Sequence, residues 1–62
     1  MTDEEIAKYF GVEHLPDHLR DVAKYFLYLA QQLSDTVPRC SQLTIAFQKL
    51  LEAKDAAVRA RS

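Results

Sequence analysis

One cysteine, one glycine and no long apolar run are the first constraints set by this 62-residue chain. A single cysteine, Cys40, excludes an internal disulfide and suits a reducing compartment. It reads as a small buried hydrophobe and not a nucleophile, since no histidine lies near it in sequence. No stretch approaches the ~20 apolar residues that a membrane span needs. The N-terminus opens acidic, not basic and greasy, so a signal peptide is not expected either. No segment alternates apolar and polar residues as a half-buried strand does, which leaves an all-α chain.

Catalytic patterns are missing too. There is no Ser-His-Asp or Cys-His set, no phosphate loop and no paired metal spacing, so neither an enzyme nor a cofactor is expected. His14 and His18 are four apart, but Pro16 lies between them and begins a helix that excludes His14, so no metal ligand pair is expected.

Charge is scarce in the net and uneven in its placement. The formal net charge of −1 argues against a protein that neutralises many phosphates of a nucleic-acid polymer. Residues 1–37 carry seven acids and three bases, whereas residues 38–62 carry two acids and five bases. The second half is locally basic. At 62 residues there is room for one domain with a small core, and chains of this size often recruit a disulfide, a metal or a partner copy.

What is present is helix. Thr2-Asp3-Glu4-Glu5 has the form of a capping box, and Ile6, Tyr9 and Phe10 make one apolar face of a short helix over about 3–10. Gly11 is expected to stop it in the left-handed conformation. Pro16 opens a second helix over about 16–34, with a seam of Leu15, Leu19, Val22, Phe26, Leu29 and Leu33. Residues 34–38 form the linker, since Pro38 cannot continue a helix and holds Val37 extended. A third helix follows over about 39–60, rich in residues that lose little side-chain freedom in a helix. Two long helices joined by about five residues predict an antiparallel hairpin.

The third helix carries the most informative row: Cys40, Leu43, Phe47, Leu50, Lys54, Ala57, Arg61, spaced by threes and fours. It begins apolar and ends with two cations in core-facing slots. The simplest expectation is that the stems of Lys54 and Arg61 cover the core end opposite Asp17 and Asp21 while their charges reach water. The sharper one is that they hold an anion. Apolar residues left over from a two-helix hairpin include Ile6, Tyr9, Phe10, Tyr25, Leu27, Tyr28, Ile45, Leu51 and Val58. Stripes of this kind mark contact surfaces, so a homo-oligomer, dimer or higher, is expected, the alternative being a three-helix monomer with an untidy surface.

The segments His14-Leu15-Pro16…His18-Leu19, Phe26…Leu29-Ala30, Pro38 and above all KLLEAKDAAVRA at 49–60 resemble the bacteriophage anti-CBASS/anti-Thoeris sponge hairpin family. The resemblance covers about residues 14–60. It implies a helical hairpin that assembles into multimers and sequesters cyclic di- or trinucleotide signals of bacterial defence in the cytoplasm of an infected host, at pockets between protomers. Such a ligand needs cations for its phosphates and aromatic faces for its bases, which singles out Lys54, Arg61, Arg39, Tyr25 and Tyr28. The alternative is a helical module that docks on a host or phage protein without a small ligand.

Overall fold

The structure is a computed structural model, and it describes residues 3–62. Three helices follow in order: α1 over Asp3–Phe10, α2 over Asp17–Thr36 and α3 over Ser41–Arg61. Among the described residues there is no strand, as the absence of alternation predicts. The Thr2 cap expected at the start of α1 lies outside the described residues.

Helix ends follow local chemistry. Asp3, Glu4 and Glu5 fill the first turn of α1 and Lys8 its last, each sign at the pole that favours it. Pro16 is the N-cap of α2, where its missing N–H costs nothing, and its carbonyl accepts from Leu19 and Arg20 at 3.0 and 2.9 Å. α2 runs two residues beyond the expected Ser34. Pro38 forbids helical geometry only at Val37, which is extended with ψ 131° and still donates to the Leu33 carbonyl at 3.0 Å. The Thr36 hydroxyl donates back to the Gln32 carbonyl at 2.7 Å, which satisfies the hydroxyl within the last turn.

Two expectations are corrected here. Gly11 does not take a positive φ. Its value is room, because a Cβ at this position would run into the Ala7 carbonyl oxygen of the preceding turn. Cys40 is exposed, not buried. It is the extended N-cap of α3, with φ −163° and ψ 173°, so the helical phase that places Leu43 and Phe47 inside does not reach back to it.

The core consists of Ile6, Phe10, Ala30, Leu43 and Phe47, with Phe26, Leu27, Leu33, Val37, Leu50 and Leu51 packed partly buried against it. Phe10 and Phe47 are fully enclosed, their ring centroids 6.4 Å apart and tilted by 56°. α2 turns Ala23 and Ala30, both completely buried, most directly to the core; Phe26 and Leu33 of the expected seam pack partly buried beside them, and Leu29 of that seam is 44% exposed. A helix that must touch two neighbours turns toward the bisector between them, and alanine lets both approach closely. Leu27 and Leu51, leftovers of a two-helix hairpin, become core once α1 is docked.

Replacing Phe47 by Ala is expected to cost about 3–5 kcal/mol. A core of this size supplies roughly that much net stability. Circular dichroism of Phe47→Ala at 25 °C should therefore show a largely unfolded chain, while the wild type gives a helical spectrum with a cooperative thermal transition.

Candidate functional site at the open end of the hairpin

Among the described residues Lys54 is the one charged residue that is buried, with 8% of its surface exposed. The heptad spacing of α3 carries it inward, one turn beyond Leu50. Its Nζ donates to the Tyr9 carbonyl oxygen at 2.6 Å and lies 5.9 Å from the centre of the Phe10 ring. Asp55 stands on its outer side, with Oδ1 3.9 Å from Nζ. The Tyr9 carbonyl belongs to the last turn of α1, where such groups lack helical partners and the helix dipole favours a cation. The pairing is therefore charge-assisted, and it ties α3 to the end of α1. Among the described residues no buried side-chain nitrogen or oxygen lacks a hydrogen-bond partner.

The expected apposition of Lys54 and Arg61 to Asp17 and Asp21 does not form. Asp17 pairs with Arg20 at 3.6 Å and Asp21 with Lys24 at 3.9 Å, both one turn away on α2 itself. The Arg20 guanidinium also donates to the Leu15 carbonyl at 2.9 Å, fastening the connector to the first turn of α2. Short in-helix reach takes these carboxylates before α3 can.

Of the five residues singled out for an anionic ligand, the structure keeps Lys54 inside and leaves the other four exposed, with only Tyr25 and Tyr28 neighbours on one face. Arg61 is in the last turn of α3, at the open end of the hairpin. Arg39 precedes α3 at the linker end, roughly 20 Å of helical rise from Lys54. Tyr25 and Tyr28 lie on the outer side of α2, 66% and 55% exposed, with Lys24 Nζ 5.4 Å from the centre of the Tyr25 ring. The chain does not bring all five together.

A cleft of about 220 Å³ does open where Lys54 reaches the surface, lined by His14, Leu15, Lys54, Asp55, Val58 and Arg59. Neither His14 nor Arg59 is singled out for a ligand by the sequence, because their spacing to Lys54 matches no single helix face. His14 comes from the connector and meets α3 only in three dimensions. An ammonium has three donors, and Tyr9 takes one, so Lys54 and Arg59 give this cleft a cationic wall against one carboxylate. Among the described residues no cluster of His, Cys, Asp and Glu is placed to hold a metal ion. None of the helices is long and apolar enough to cross a membrane.

No protein-family model, curated protein or solved structure matches the chain.

Lys54→Met keeps the stem's volume but strands the Tyr9 carbonyl. The acceptor is only partly buried, so the cost falls at or below the low end of the ~1–3 kcal/mol for a fully buried group, and urea denaturation should show a lower midpoint with an unchanged slope. A neutral or stabilising outcome is the signature of a lysine that merely reaches for water.

Proposed function

We propose that the protein is a phage-encoded, homo-oligomeric helical hairpin that binds and sequesters a cyclic di- or trinucleotide signal of bacterial antiphage defence, in the cytoplasm of the infected host. One observation carries this reading. All six residues lining the cleft at the open end of the hairpin, His14, Leu15, Lys54, Asp55, Val58 and Arg59, fall within the segments that carry the family resemblance. They join cations suited to phosphate oxygens with the exposed Arg61 close by in the last turn of α3.

The dimensions set a condition. Ligand sites typically measure about 300–1,000 Å³, and about 220 Å³ in one protomer falls short of that. A ligand with two or three nucleotides therefore needs a second copy to complete the walls and to supply aromatic faces such as Tyr25 or Tyr28.

A second reading has its own support. Tyr25, Tyr28, Leu29 and Ile45 are large apolar side chains, each more than 40% exposed. They suit a module that docks on another protein without a small ligand.

A thermal-shift series against cyclic di- and trinucleotides separates the two. Ligand at ~100 times its dissociation constant adds about 2.7 kcal/mol of stability, a shift of many degrees for so small a domain. Arg59→Gln with Arg61→Gln should leave the helical spectrum intact yet weaken binding by on the order of tenfold to a hundredfold in titration calorimetry. The absence of any shift with every nucleotide favours the docking module.

A further inference from the structure

The outer face of α2 carries a second heptad row, separate from its core-facing line. His18, Asp21, Tyr25, Tyr28, Gln32 and Asp35 follow at steps of three and four, and every one of them is exposed. The row lies on the side of α2 opposite Ala23 and Ala30, so α1 and α3 leave it uncovered. Tyr25 and Tyr28 form its centre, and polar residues flank them at equal distances on either side.

We infer that this row is a self-recognition surface, on which α2 of a second copy of the chain packs antiparallel about a two-fold axis between Tyr25 and Tyr28. Reversing the helix about that midpoint maps the row onto itself. His18 then meets Asp35 of the second copy, Asp21 meets Gln32, and Tyr25 meets Tyr28, each pairing occurring twice. These are complementary groups at every layer: an imidazole N–H for a carboxylate, an amide N–H for a carboxylate, and two aromatic rings. They are also the alternating layers that an antiparallel pair of heptad helices requires, and a two-fold axis makes both surfaces the same patch.

The opposite orientation is penalised by the same residues. Parallel packing sets Asp21 against Asp21 and Asp35 against Asp35, like charges brought together in an interface. A sequence selected to bind an unrelated protein has no reason to be self-complementary under reversal; a surface that binds its own copy does. In this register the second copy's linker, with its Arg39, comes level with the end of α2 next to the cleft. The pairing needs no nucleotide, so it can hold where the ligand reading fails; a monomer would end both, whereas an assembly indifferent to the tyrosine variant ends the pairing alone.

The test uses the ligand-free full chain. Light scattering should give twice 7.1 kDa, with the dimer dissociating on dilution. Tyr25→Ser with Tyr28→Ser should yield a folded monomer by circular dichroism. Asp35→Lys should weaken the dimer at least tenfold, and adding His18→Asp should restore most of the loss by exchanging the two partners. With Cys40→Ser as background, a mixture of Asp21→Cys and Gln32→Cys proteins should oxidise chiefly to the mixed dimer. A monomeric wild type, an assembly indifferent to the tyrosine double variant, or Asp21→Cys cross-linking to itself as readily as in the mixture would overturn the inference.

Discussion

The hydrogen bond from Lys54 to the Tyr9 carbonyl is the contact on which the arrangement of the three helices turns. An ammonium taken out of water is costly unless it is bonded, and a carbonyl at a helix end is short of a partner. Each of these liabilities answers the other across 45 residues of sequence separation. α1 has only eight residues and is marginal as an isolated helix. It persists because Ile6 and Phe10 enter the core and because its C-terminal end is held by a cation from α3.

Docking α1 changes what the other two helices show to each other and to solvent. Phe10 fills the space beside Phe47, and α2 must then serve two neighbours, which it does along Ala23 and Ala30. That rotation moves Leu29 outward and leaves Tyr25 and Tyr28 on the far side. The uncovered aromatic row is thus a consequence of how the small helix packs, not an oversight of a poorly filled core.

Two surfaces of different character result. The open end of the hairpin gathers His14, Lys54, Arg59 and Asp55 around a cleft that is small for a nucleotide ligand. The outer side of α2 offers a mixed aromatic and polar row whose chemistry matches its own reversal. The two lie on different parts of the chain, the recess between the connector and α3 and the row on the side of α2 away from Ala23 and Ala30.

The sequence by itself determined the helical class, the three segments and most of their ends, because these follow from local causes: apolar spacing, Pro16, Pro38 and acids in a first turn. It also marked α3 as the pairing helix and Lys54 as a cation in a core-facing slot. Tertiary structure decided what periodicity is blind to. The phase of α2 depends on having two neighbours, so Ala23 and Ala30 take the centre of its buried face, Phe26 and Leu33 stay beside it and Leu29 is left exposed. Cys40 is exposed because the chain there is not yet helical, and Gly11 serves close approach instead of a left-handed turn. The partner of Lys54 is a backbone carbonyl, which carries no side-chain signal at all, and Asp17 and Asp21 are taken by nearer bases. His14 reaches the cleft from a connector, so only the folded chain brings it beside Arg59. Local spacing fixes which residues share a helix face, but which faces meet is settled by packing three helices around one small core.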